Sequence, residues 1–189
     1  MILNSGIAMT IANSSAPASQ SEHLLAHVLT MKYPNKTHNI LHGRLIASTT
    51  IWALQKQREI LLKINGDNYQ KSLQNIFDKS SNPKIYSTEI SQYFNDDISH
   101  ECLIEYSYKL EYLQKNHHKI IKNYQKNSLK IQQKLNNFSI NPQFLIDIFT
   151  HFEVDFSFEN IGFTIKQIDE SWQYCKYIRN RFTSADLNI

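Results

Sequence analysis

Glycine usage constrains this chain more than any other feature. Among 189 residues there are four glycines, Gly6, Gly43, Gly66 and Gly162, and no two stand close together. Turns that wrap a phosphate need clustered glycines for tight bends and close backbone approach, so neither a P-loop nor a dinucleotide-binding turn is written here. Only four prolines occur, and Leu, Ile, Lys, Gln and Glu are abundant, so little interrupts a helix. The expectation is an all-α, multi-helix bundle folded as one domain over residues 1–189.

Composition removes several function classes. With 41% hydrophobic and 20% charged residues, the chain can bury an ordinary globular core. Its formal charge of +3 comes from lysines dispersed among Asn, Gln and Glu, with no long basic block of the kind nucleic acid or anionic lipid attracts. Neither nucleic acid nor membrane is therefore expected as a partner. Cys102 and Cys175 lie far apart and outside any CxxC spacing, which gives neither a disulfide framework nor a Cys-rich zinc site. The opening residues end in a small-residue Ala16-Pro17-Ala18 site, but they lack a basic start, and Asn4, Ser5 and Thr10 break their apolar run. No stretch has transmembrane length, and the chain reads as cytoplasmic.

In chain order, Ile2 to Ala12 reads as a buried helix, and Pro17 marks a break. Ser19 with Glu22 three residues on has the capping-box pattern and starts a helix to about Met31. After Pro34, a helix from about Asn39 or Ile40 to Lys63 is apolar on much of its circumference and is expected at the centre. A short helix spans Tyr69 to Phe77 and another Ser87 to Phe94. A long helical tract runs from Asp96 or Asp97 to Phe138, with a break near Asn116 to His118 or at Asn127. Its many lysines read as a solvated helix face. Helices at Gln143 to His151 and Ile165 to Asn180 follow, then a turn with Thr183 as N-cap and Asp186 at N3.

The chemistry concentrates between Pro17 and Arg44. His23/His27 and His38/His42 are two i,i+4 pairs, a spacing that stacks both imidazoles of a pair on one helix face. The Tyr33-Pro34-Asn35-Lys36 connection can bring the pairs to one point, and imidazole is a good ligand for zinc and its neighbours. Judged by spacing alone, a histidine on a partly apolar helix is more often a structural residue.

Four short motifs occur in order: Ser5-Gly6-Ile7-Ala8-Met9, Pro17-Ala18-Ser19-Gln20-Ser21-Glu22-His23, Leu41-His42-Gly43, and Ile178-Arg179-Asn180-Arg181-Phe182-Thr183 with Asp186-Leu187. Together they resemble the sn-glycerol-1-phosphate dehydrogenases of the dehydroquinate synthase and iron-containing alcohol dehydrogenase superfamily. The resemblance covers the first 45 residues and the last dozen, and is little more than helical spacing between. It implies the family's C-terminal helical domain without the N-terminal Rossmann-like domain that binds NAD(P). It also implies an oxidoreductase that interconverts glycerol 1-phosphate and dihydroxyacetone phosphate, a small polyol phosphate substrate.

By the same resemblance, His23 and His42 fall on the family's two metal-binding histidines, as ligands for zinc or another divalent metal. The third ligand is a carboxylate located before the start of this sequence. His27, Ser19 and Ser21 take substrate-side positions, although capping competes for the two serines. Gln20 stands where the family has Gly, Ala16 where it has Arg, and Arg44 where it has Glu, with substrate phosphate a conceivable partner for Arg44. The isolated chain is expected to be inactive and to bind a Rossmann-type partner chain or itself. Two alternatives remain open: a degenerate, non-catalytic relative that acts as a binding module, and a self-contained metal-binding helical protein using His23, His27 and His42.

Overall fold

The structure, a computed structural model, describes residues 7, 9–13, 19–63, 71, 74, 75, 78, 82–138 and 141–187. The helix expected from Tyr69 to Phe77 lies almost wholly outside them. Among the described residues the fold is carried by α1 (Ser21–Lys32), α2 (Pro34–Thr37), α3 (His42–Lys63), α4 (Pro83–Tyr93), α5 (Asp96–Phe138), α6 (Pro142–His151) and α7 (Ile165–Tyr174). Two 3₁₀ turns, Cys175–Tyr177 and Ser184–Leu187, close the chain, and no strand occurs among the described residues.

α1 is the most enclosed element. Leu24, Leu25, Val28 and Leu29 have almost no solvent exposure, because α1 packs against α3 on one side and α7 and the Cys175–Tyr177 turn on another. Each such side chain contributes about 1.5–3 kcal/mol of burial, so a helix of this length is held by packing rather than by propensity. α3, expected at the centre, lies along α1 through Leu45 and Ala53 and also meets α5, α6 and the Ser184–Leu187 turn, so it shares the central position with α1.

α1 also starts differently from the capping-box reading. Its N-cap is Gln20, with no side-chain cap bond, while Ser19 Oγ accepts from Arg181 Nη2 at 3.1 Å. The partner that competes for the serine is 162 residues away in sequence, so local pattern could not reveal it. At the N-terminus, residues 7 and 9–12 are helical, but Ile7 and Ile11 are exposed, which corrects the buried-helix reading for these described positions.

α5 is one continuous helix of 43 residues, without the expected break. The asparagines suspected of interrupting it bond within it instead: Asn116 Nδ2 donates to the Tyr112 carbonyl at 2.8 Å and Asn127 Nδ2 to the Asn123 carbonyl at 2.9 Å. Polar side chains that satisfy themselves one turn back compete only weakly with the backbone ladder.

The last turn is anchored to α5 by a buried ion pair. Lys109, 1% exposed, donates to Asp186 Oδ1 at 2.7 Å and to the Lys176 carbonyl at 2.5 Å. Asp186 Oδ2 accepts from the Thr183 amide at 2.8 Å, and Thr183 Oγ1 accepts from the Ala185 amide at 3.3 Å. Thr183 and Asp186 thus form the expected capped turn, and Lys109 gives it a second role. Burial outweighs this pairing for the ammonium, whose pKa is lowered from 10.5. On the other side of α1, Lys36 Nζ reaches the carbonyl of Gly162 at 2.7 Å. Gly162 has φ +81°, a left-handed backbone that glycine adopts freely, and it turns the chain into α7. That helix opens on a complete capping box between Thr164 and Gln167.

Candidate functional site

Three of the four histidines in the Pro17–Arg44 stretch come together. His23 and His27 project from one face of α1, and the turn after α2 delivers His42 as the first residue of α3. The His42 ring centroid lies 6.0 Å from that of His23 and 6.0 Å from that of His27. His38 does not join them by hydrogen bonding: its Nδ1 pairs with Asn39 Oδ1 at 2.8 Å in an exposed turn.

Glu22 orients the first imidazole. Its Oε1 accepts from the Gln20 amide at 3.0 Å and from His23 Nδ1 at 3.1 Å. An ionised carboxylate only accepts, so Nδ1 carries the proton and Nε2 keeps its lone pair for a ligand. His27 is tuned differently. Burial, followed by the positive fields of Arg179 and the neighbouring His42 and His23, and then of Arg181, holds its pKa below 6.5. At neutral pH its ring is therefore uncharged and able to accept a proton or a cation.

Two imidazoles on one tetrahedral zinc place their ring centres about 5 Å apart. The two spacings of 6.0 Å are longer than that value. Among the described residues, no three His, Cys, Asp or Glu side chains stand as a ready-made cation site. The donor set suits a two-imidazole half-site that needs further ligands.

The two serines are engaged elsewhere. Ser21 is buried, and its Oγ shares a 2.6 Å hydrogen bond with Ser184 Oγ, which also accepts from Gln57 Nε2 at 3.2 Å. Ser19 is held by Arg181. Arg44 forms an ion pair with Asp155, whose carboxyl is held below its ordinary range by the Ser157 amide, the Asn160 side chain and Arg44 itself. The conceivable phosphate role for Arg44 therefore gives way to a tie between α3 and the loop before α7.

Sequence reasoning missed the cationic side of the cluster. Arg179 and Arg181 appeared only as motif letters, although their i,i+2 spacing after a helix was a usable signal. It also missed Lys109, which sits in an otherwise apolar α5 stripe with Tyr106, Leu110 and Leu113.

Comparison with known proteins finds partial sequence similarity to one group of enzymes. The chain is 41% identical over 70 residues to glycerol-1-phosphate dehydrogenase [NAD(P)+] of Sulfurisphaera tokodaii, covering 37% of this chain and 17% of that enzyme. It is 39% identical over 82 residues to the Staphylothermus marinus enzyme of the same name, covering 43% and 20%. Over these stretches the chain is similar to glycerol-1-phosphate dehydrogenases. The Thermoplasma volcanium enzyme matches at 44% over 70 residues, again 37% of this chain and 17% of the relative. The matched stretch is thus about a fifth or less of each of these dehydrogenases. No family model matches, and no solved structure matches. No helix among the described residues is long and apolar enough to cross a membrane.

Proposed function

We propose that this chain supplies the metal- and substrate-binding helical part of an NAD(P)-dependent glycerol-1-phosphate dehydrogenase, interconverting glycerol 1-phosphate and dihydroxyacetone phosphate. The observation that carries the reading is the convergence of His23, His27 and His42 beside Arg179 and Arg181, in a chain similar to those enzymes.

His23 Nε2 and His42 would hold the cation, with Glu22 fixing the His23 tautomer. A divalent metal such as zinc, when bound, polarises a secondary hydroxyl and stabilises the developing alkoxide. Arg179 and Arg181 supply positive charge for a phosphate, which long-range attraction favours even without a direct bond. His27, kept neutral, offers an acceptor at the substrate side. Ser21 acts by holding the last turn against α1, and Ser19 by positioning Arg181. The described helices offer no βαβ cradle for a dinucleotide, so a Rossmann-type domain, on this or another chain, would hold NAD(P). Residues 1–189 act in this reading as one helical unit.

Equilibrium dialysis against a zinc-containing buffer tests the proposal. The wild-type chain should retain weakly bound zinc, because two imidazoles leave half of a tetrahedral shell to other ligands. The double substitution His23→Ala with His42→Ala should abolish it, and equal zinc in both proteins refutes the site. If His27→Ala alone removes as much zinc as the double change, the self-contained three-histidine reading replaces this one, a result that the 6.0 Å His27–His42 approach makes worth measuring.

A further inference from the structure

The long helix α5 carries its charge in two halves. Between Asp96 and Glu111 its exposed or half-exposed charges are acidic: Asp96, Asp97, Glu101, Glu105 and Glu111; the one lysine, Lys109, is buried. From Tyr112 to Phe138 there is no Asp or Glu, and six exposed lysines occur at positions 115, 119, 122, 126, 130 and 134. Steps of four and three residues place these lysines on one face, and the same steps carry that face back through Tyr112, Tyr108 and Ile104 to Glu101 and Asp97. Tyr108, Tyr112 and Ile104 are large, exposed apolar side chains. A single solvent-facing stripe thus runs from acidic through aromatic to basic.

We propose that this stripe is a self-association surface on which α5 of a second copy of this chain lies antiparallel, acidic half against basic half. The spacing supports one register. Asp97 and Lys134, Glu101 and Lys130, and Glu105 and Lys126 each lie symmetrically about the point between Lys115 and Asn116. In a twofold pair of antiparallel helices, residues placed so face each other, and every pair occurs twice. Tyr112 meets Lys119 about the same point, an ammonium-on-ring contact.

The facing stretch from Asp97 to Lys134 extends for about 56 Å, long enough for individually weak exposed pairs to act together.

A second copy fits this face better than a polyanion does. Nucleic acid or an anionic surface would gain from the lysine half, but the acidic half of the same stripe would repel it. Only a partner with the opposite charge order satisfies both halves, and the reversed helix is such a partner.

Sedimentation velocity on the full chain tests the surface. The wild type should show a monomer–dimer equilibrium that weakens as added salt shortens the screening length. Glu101→Lys with Glu105→Lys should raise the dimer dissociation constant at least tenfold, and so should Lys126→Glu with Lys130→Glu. Mixing these two variants should restore association as a heterodimer, since each then presents one sign to the other. Circular dichroism should show all variants equally helical. A wild type that stays monomeric at every concentration and salt overturns the proposal, as do variants that associate like the wild type or fail to recover on mixing. Heparin binding by a monomeric wild type, lost in Lys126→Glu with Lys130→Glu, also overturns it and assigns the lysines to a polyanion.

Discussion

An imidazole enclosed beside guanidinium groups and other imidazoles loses affinity for protons, and His27 is in that position. Burial is the largest cause, with Arg179, His42, His23 and Arg181 adding in that order. The stability consequence has a definite sign. Above the unfolded value of 6.5 neither state carries the proton, so His27 contributes no pH dependence there. As pH falls below 6.5, the unfolded ring takes up a proton that the folded ring resists, and folding is weakened until the folded ring also protonates. His27→Gln keeps a polar side chain but removes the titration. Comparing urea midpoints at about pH 7.5 and about pH 5.5, the loss on acidification should be smaller in His27→Gln than in the wild type. An equal or larger loss in the variant would assign the acid sensitivity to other groups. The same neutrality leaves the His27 lone pair available at neutral pH, so the property that makes it acid-sensitive also suits it to a site.

Between α5 and the last turn, one buried ion pair joins elements that no local pattern connects. Lys109 and Asp186 are 77 residues apart, and both are removed from water. Asp186→Ala leaves the Lys109 ammonium buried with a carbonyl and two aromatic rings, Tyr106 and Phe182, as its remaining company. Breaking a buried pair by removing one partner costs about 3–5 kcal/mol, so chemical denaturation should show a fall of that order. Lys109→Met, which removes the charge and keeps the stem, should be milder, because Asp186 still accepts from the Thr183 amide. Equal, small effects from both changes would place the pair outside the folding unit. This element also shows what was legible. The starts of α6 and α7 were readable because Asn141-Pro142 and Thr164 act on their own neighbours. The His23/His27 pair was readable because i,i+4 spacing is a property of one helix. Ser19, Lys109, Arg179 and Arg181 were not, because what defines each is a partner brought up by packing from a distant part of the chain. The continuity of α5 was misread for the opposite reason: Asn116 and Asn127 resemble breakers until their amides are seen bonding one turn back.

At the scale of the whole molecule, segments far apart in sequence meet. The segment carrying Arg181 and Ser184 folds onto the start of α1 through Ser19 and Ser21, bonds that span 162 and 163 residues, so motifs far apart in sequence form one corner around the histidines. The proposed function gives that corner a small phosphorylated alcohol to bind and orient, but hydride transfer also needs a nicotinamide held against the substrate carbon. The described residues contain helices and turns and no strand, and the glycine-rich strand-to-helix turn that grips a pyrophosphate has no counterpart among them. If the proposed function holds, chain and dinucleotide-binding domain should divide the labour cleanly. NADH titrated against the purified chain should give no fluorescence change, and the chain alone should not oxidise glycerol 1-phosphate. Co-expression with the dinucleotide-binding domain of a related dehydrogenase should produce NAD(P)-dependent turnover, and His42→Ala should remove that turnover while leaving the pairing intact. Tight NADH binding by the chain alone would overturn the division. Silence in both arms would instead favour a binding module, and there Gln20, which stands where the resembled family has glycine, is the first residue to change to glycine.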